Sequence, residues 1–462
     1  MPQDPSEDYG RFQSQITASE DNRDLFEGLY VEHDAERDSV AGLRRRRRSA
    51  ANTLDDPIKT VSLIEVDGVL YWRDGIPGPD HPSRRRRAAR RGEPTTPSGT
   101  LVLAKNFPVL APNKVMAAIG TIDTKLNPSI QPALESRLRQ LQSVNGTLVL
   151  GDDVRGPLNG RTLVFVHGTF SNAQNMLDEF KATSPGQAFL QGTMEGPNRY
   201  DRVVFFEHAT LAVSPVLNAL ELGRAMAGSS GQIDAIAHSR GGLIVRWWLE
   251  AFGSSLRLAD DKPVRVIFAG SPLHGTSLAA PDKLQNALSL FSNIGTFAEK
   301  TLRLVSFANP FLWVADKLVE VIVSVTGVLA HTPLIDGLVA LIPGLSGQSA
   351  VENNYEIERL RLGPCAVDPA YFAIKSNFET QNPGWQFWRN FRGQRVADIA
   401  ADFVFEKEND LVVDTWSMTD LGGPNFPVAI RDVRDFGTSD IVWHCNYFRQ
   451  PETIAFINAK LA

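Results

Sequence analysis

The stretch that most constrains this chain is Ile233-Asp234-Ala235-Ile236-Ala237-His238-Ser239-Arg240-Gly241-Gly242. An apolar run of strand character ends at a serine. Residues 243–250, with apolar positions at helical spacing, follow at once and stop at Gly253. A strand that turns into a helix over so few residues leaves no room for side chains two positions before and two after the serine. Those positions hold Ala237 and Gly241. Such a turn pushes the Ser239 hydroxyl out of the sheet. A short buried strand feeding a helix is half of a βαβ unit, so the pattern demands a mostly parallel sheet with helices on its faces.

A second motif lies upstream. Residues 161–166 are short, apolar and β-branched, as a buried strand requires, and run into His167-Gly168-Thr169-Phe170. With an A-H-S-R-G turn downstream, the chain resembles the α/β-hydrolase superfamily on its lipase and esterase side. The usual pattern there is G-x-S-x-G, so Ala237 is a departure by one methyl group. The resemblance implies Ser239 as nucleophile. It also implies an oxyanion hole made of two backbone N–H groups, from Thr169 and Arg240. His167 then orders its loop and is not the base.

The superfamily keeps its triad in the order serine, acid, histidine. After Ser239 come a strand-like run at 264–269 and the loop Pro272-Leu273-His274-Gly275-Thr276. Further on, 402–405 reads as a strand before Glu406-Lys407-Glu408-Asn409-Asp410 and the apolar Leu411-Val412-Val413. The resemblance favours Asp410 as the acid. Asp414 is the runner-up, and Asp402 and Glu406 stand behind it. Residues 440–443 read as a last strand, followed by His444 as the base and a helix over 451–461 that opens on Pro451. His208, His274 and His331 have a plain structural reading.

The 462 residues leave room for more than this core. Residues 1–57 are polar, with Arg44, Arg45, Arg46, Arg47 and Arg48 in one run, and carry too little apolar content for a core. Residues 58–145 read as a small, mostly β accessory region. It has a hairpin turning at Asp67-Gly68, a strand-like run at 100–105 and a second basic cluster at Arg84, Arg85, Arg86 and Arg87. The arginine runs are either solvated loops or contacts for an anionic surface or acidic partner. The hydrolase domain then spans 146–462, with helix candidates at 173–181 and 216–226 and strands at 202–206 and 371–374. An apolar insertion at about 279–352 interrupts it where the superfamily carries a cap. A helical lid over an acyl pocket, an ordinary layer on the sheet and an interfacial amphipathic helix all fit its pattern. Its charges leave no stretch long enough to span a bilayer.

The formal net charge of −6 gives no global signal for nucleic acid. Cys365 and Cys445 form neither a disulfide framework nor a zinc spacing, and no metal or cofactor motif is present. The acidic, polar first residues lack the basic and apolar regions of a secretory signal, so the expected location is the cytoplasm. The order of H-G-T-F, E-H-A-T-L, A-H-S-R-G-G, P-L-H-G-T, N-D-L-V-V and W-H-C-N-Y-F resembles bacterial lipase-like hydrolases. It is also similar to the GPI-inositol-deacylase type of lipase. The resemblance implies a serine ester hydrolase acting on a small-molecule or lipid acyl ester. Thioesterase, acyltransferase and peptidase chemistry can use the same triad. A non-catalytic scaffold on the same fold is the alternative outside the enzyme class.

Overall fold

A computed structural model describes residues 59–66, 69–74, 100–107, 115–131, 133–258, 263–280, 342–351, 354–363, 365–379, 407–423 and 426–462, with the shorter pieces 283, 287–290, 292–293, 318–319 and 405. Both arginine runs, most of the apolar insertion, His331, Asp402 and Glu406 lie outside the described residues. The chain divides into two compact units.

The smaller unit holds strands β1 (Lys59–Val66), β2 (Val69–Asp74) and β3 (Thr100–Phe107). They form an antiparallel sheet in the order β2-β1-β3. β1 and β2 pair with Val66 opposite Val69, and the residues expected to form the turn between them, 67 and 68, lie outside the described residues. The insertion contributes here in a way its apolar pattern did not foretell. Ser289 and Asn293 cover the outer edge of β2, and Ser292 accepts from the Trp72 indole N–H. Asn293 accepts from the Leu70 N–H at 3.1 Å and donates to its carbonyl at 2.9 Å. Ser289 accepts from the Trp72 N–H at 3.2 Å. Polar side chains thus take the edge groups that would otherwise template another strand.

The larger unit is the hydrolase sheet. Its elements include the end of helix α1 (Val115–Leu126), then β4 (Arg137–Val144), β5 (Thr147–Asp153), β6 (Thr162–Val166), α2 (Ala173–Lys181), α3 (Ser184–Glu195) and β7 (Arg202–Glu207). There follow α4 (Pro215–Ala225), β8 (Ile233–His238), α5 (Gly241–Ala251), β9 (Arg265–Ala269), α6 (Tyr355–Leu362), β10 (Ala370–Phe378), β11 (Ile430–Ser439) and α7 (Pro451–Leu461). The eight strands run β11-β10-β9-β8-β6-β7-β4-β5. All neighbours from β11 to β7 pair in parallel, and β4 pairs antiparallel to both β7 and β5. This is the α/β-hydrolase arrangement.

β6 shows why the sheet is covered on both sides. All five of its residues are buried. Leu163 and Phe165 pack with Leu177, Phe180, Leu190 and Ile457 of α2, α3 and α7. Val164 and Val166 pack with Leu222, Ile244 and Trp248 of α4 and α5 on the other face. Side chains alternate across a strand, so an unbroken apolar run needs two apolar layers.

Two boundaries differ from the sequence reading. The sheet begins at β4, ahead of the expected start at 146, because Asn145 and Gly146 (φ 51° and 78°) make a tight hairpin that joins β4 to β5. The last strand is β11, not 440–443. β11 is a half-exposed edge strand rich in charge, so it carries no apolar run to read. Residues 440–443 form the turn after it, where Ser439 Oγ accepts from the Val442 N–H at 3.0 Å.

Candidate active site

β6 lies between β7 and β8 although β7 follows it in sequence, so the chain reverses its direction of travel across the sheet at β6. The carboxyl ends of strands at such a switch point diverge and leave a crevice. His167 leaves β6 there, and Ser239 leaves the adjacent β8.

Ser239 has φ 53°, a left-handed conformation that costs a residue with a Cβ about 1–2 kcal/mol. Its N–H donates to the Ala269 carbonyl at 2.9 Å, and α5 starts two residues later. Gly241 is forced, because a Cβ there would collide with the Val166 and His167 carbonyls. Ala237 is fully buried and fits, so the extra methyl is accommodated within the core. A Cβ on Gly168 would stand 2.6 Å from Ser239 Cβ and 3.2 Å from its Oγ. The loop after β6 therefore passes directly over the serine.

That loop is fixed from several sides. His167 donates from Nδ1 to the Gly168 carbonyl at 3.0 Å, and its ring stacks on His208 at 3.9 Å. Burial holds both imidazoles well below their usual range, His167 at about 3, so both are neutral. Phe170 sits at φ 58°, and its N–H donates to Thr210 Oγ1 at 3.4 Å. Gln348 holds Thr169 Oγ1 at 2.9 Å. Among the described residues, no acceptor takes the N–H of Thr169 or of Arg240. The Arg240 side chain points away into the core, donating to Asn218 Oδ1 at 2.7 Å and to the Val213 carbonyl. Burial lowers its guanidinium to about 10, which leaves it charged at neutral pH.

Asp410 and His444 meet at the ends of β10 and β11. His444 donates from Nδ1 to Asp410 Oδ2 at 2.8 Å, and both side chains are buried. The other carboxylate oxygen accepts from the N–H groups of Val412 and Val413 at 3.1 and 2.8 Å. Leu411, at φ 82°, makes the turn that aims them. Asp414, the runner-up, faces Ser277 instead, at 2.8 Å from its N–H. The pair lies beside the serine strand. A Cβ on Gly270, next to the Ala269 that binds Ser239, would stand 3.1 Å from Asp410 Oδ2 and 3.2 Å from His444 Nδ1.

Two residues outside the expected set join these halves. His238 donates from Nε2 to the His444 carbonyl at 2.8 Å, and burial keeps its ring neutral, near 3. Tyr447 donates to Asp410 Oδ2 at 2.9 Å. Burial and the Asp410 charge push this phenol well above its usual range, so it stays a donor. Tyr447 is only three residues past His444, a spacing that could have flagged it. His274 pairs with Asp420 at 2.6 Å and with Arg361, away from the Asp410–His444 pair. Burial pushes the Cys445 thiol well above its usual range, so it is no thiolate.

A family model described as "Domain of unknown function (DUF7379)" matches residues 136–462. The chain belongs to this family. No curated protein matches it in sequence. Among solved structures it is similar to the mature lipase BlEst2 of Bacillus licheniformis, at 15% identity over 68% of this chain and 96% of that one, TM-score 0.35. It is similar to a lipase-esterase related protein of Clostridium acetobutylicum ATCC 824, at 12% identity over 66% and 97%, TM-score 0.31. It is also similar to a thermophilic esterase of Thermogutta terrifontis, at 12% identity over 66% and 90%, TM-score 0.30. This DUF7379 member thus has an α/β-hydrolase sheet, known from its own strand order, and a buried Asp–His pair near a buried serine in a left-handed turn. Among the described residues no helix is long and apolar enough to cross a membrane.

Proposed function

We propose that the chain is a serine ester hydrolase that cleaves an acyl ester through an acyl-enzyme on Ser239. The observation that carries this reading is the 2.8 Å bond from His444 Nδ1 to Asp410 Oδ2, set at the strand ends beside a serine at φ 53°. His444 Nε2 takes the Ser239 proton as Oγ attacks the ester carbon, then delivers it to the leaving alkoxide. Asp410 fixes the imidazole tautomer and stabilises the imidazolium. The N–H groups of Thr169 and Arg240 receive the oxyanion, Arg240 from the N-cap of a helix whose dipole favours negative charge. Water repeats the cycle and frees the acid. The substrate class in this proposal is a lipid-like acyl ester, in line with the likeness of the motifs to lipases, the GPI-inositol-deacylase type included. A cytoplasmic location and an anionic contact for the arginine runs belong to the same proposal.

The test is hydrolysis of a p-nitrophenyl ester series of increasing acyl length by the native chain and by Ser239→Ala. The proposal expects turnover with a chain-length preference, and a loss of roughly 10⁶ in kcat in the variant. Equal turnover by both proteins would overturn it.

A further inference from the structure

Asp123 is 1% exposed and carries no role in the chemistry above. It sits in the last turn of α1, ahead of the residues matched by the family model. Its Oδ1 accepts from the Thr210 N–H at 2.8 Å, the Thr210 hydroxyl at 3.1 Å and the Leu211 N–H at 3.0 Å. Its Oδ2 accepts from the Leu211 N–H at 3.0 Å and the Ala212 N–H at 2.6 Å. A buried carboxylate costs several kcal/mol unless donors surround it, so this one is tied to the 210–212 backbone. Thr210 in turn accepts the Phe170 N–H through the same hydroxyl that binds Asp123.

The neighbouring residues hold the same loop at two further points. Asn172 donates to the Leu126 carbonyl at 2.8 Å. Asn127 donates at 2.6 Å to Glu207 Oε2, which also accepts the Ala173 N–H at 3.1 Å. Residues 123–127 therefore fix Phe170, Asn172 and Ala173, the continuation of the Gly168–Thr169 step that passes over Ser239. We propose that Asp123 is a positioning residue that clamps the oxyanion loop through Thr210, so that the catalytic unit includes the end of α1 as well as residues 136–462. This rests on the hydrolase reading for its effect on rate, and on the hydrogen-bond geometry alone for its effect on the loop. Backbone donors must meet the developing oxyanion within tenths of an ångström, so a loosened loop lowers turnover more than substrate binding.

The experiment compares native full-length chain with Asp123→Asn and with the milder Thr210→Val, which cuts only the link between Asp123 and Phe170. Active sites are counted by fluorophosphonate titration, so misfolded protein does not dilute kcat. Amide hydrogen exchange is followed over 167–173. The clamp predicts that Asp123→Asn loses about 10- to 100-fold in kcat per titrated site, with KM within about twofold. It predicts a smaller loss in Thr210→Val, and faster exchange at 167–173 in both. If Asp123→Asn does not fold, Thr210→Val decides by the same readouts. Unchanged kcat per site, or unchanged exchange, would overturn the clamp. If the native chain neither hydrolyses esters nor reacts with the probe, the hydrolase reading falls, and exchange at 167–173 alone decides the clamp.

Discussion

Two strands each deliver a residue to the same crevice, and they could hardly differ more. β8, which ends beside Ser239, is central and buried at five of its six positions. β11, which leads to His444, is the edge strand and is half-exposed throughout. The serine side is held by covalent shape: a left-handed turn, a glycine that admits no Cβ and a loop in direct contact with Ser239. The acid–base side is held by hydrogen bonds, with Asp410 receiving Val412, Val413, His444 and Tyr447. On the proposed roles, a nucleophile placed by packing and a base placed by polar contacts should fail in different ways.

Among changes that leave Ser239 in place, the largest effect should come from the polar side. Asp410→Asn removes the acceptor of the His444 Nδ1–H and should lower kcat about 10⁴-fold. Asp414→Asn leaves that bond intact. It should disturb the Ser277 contacts, at a stability cost of about 1–3 kcal/mol. Steady-state kinetics with urea unfolding separates the two, and an equal loss of kcat in both would move the acid to Asp414.

The serine side should break by shape. Gly168→Ala places a methyl against Ser239 Cβ, and a displacement of about 1 Å should cost about 10²-fold in kcat with the Asp410–His444 pair undisturbed. Native kinetics in Gly168→Ala would show that the loop does not pass over the serine as described.

The smallest effect is thermodynamic and again unequal between the two sides. His167, His208 and His238 all lie on the serine side and are held neutral by burial, His167 and His238 to about 3 against 6.5 in the open chain. Between those values the unfolded chain binds protons that the folded chain refuses. Their contribution to stability is therefore full above about pH 6.5 and falls as pH drops toward 3, by up to about 1.4 kcal/mol per pH unit for each imidazole, while buried Glu179, raised to about 7, contributes with the opposite sign. Urea midpoints at pH 7 and pH 5 measure this slope, and His238→Asn should flatten it. An equal slope in the native chain and in His238→Asn would contradict a buried neutral His238.

The same contrast explains what was legible in the sequence. Ile233-Asp234-Ala235-Ile236-Ala237 could be placed as a strand because a central strand has two apolar faces. Helices 173–181 and 451–461 match their sequence-based bounds because an amphipathic period and a first-turn proline mark them. β11 leaves no signal in the sequence because its charges face solvent at an edge, and the short apolar run after it reads as a strand instead. His444 still reads as lying beyond the last strand, since the helix after it fixes the loop. Asp123 and His238 carry no local pattern. Their partners lie 87 to 206 residues away, so only the fold brings them together.

The most direct measurement is the site of covalent modification by a fluorophosphonate probe, mapped by mass spectrometry on the folded native chain. The account predicts one adduct, on Ser239, absent in Ser239→Ala and strongly slowed in His444→Ala. A folded chain with no adduct at Ser239, or with the adduct on another residue, would contradict it.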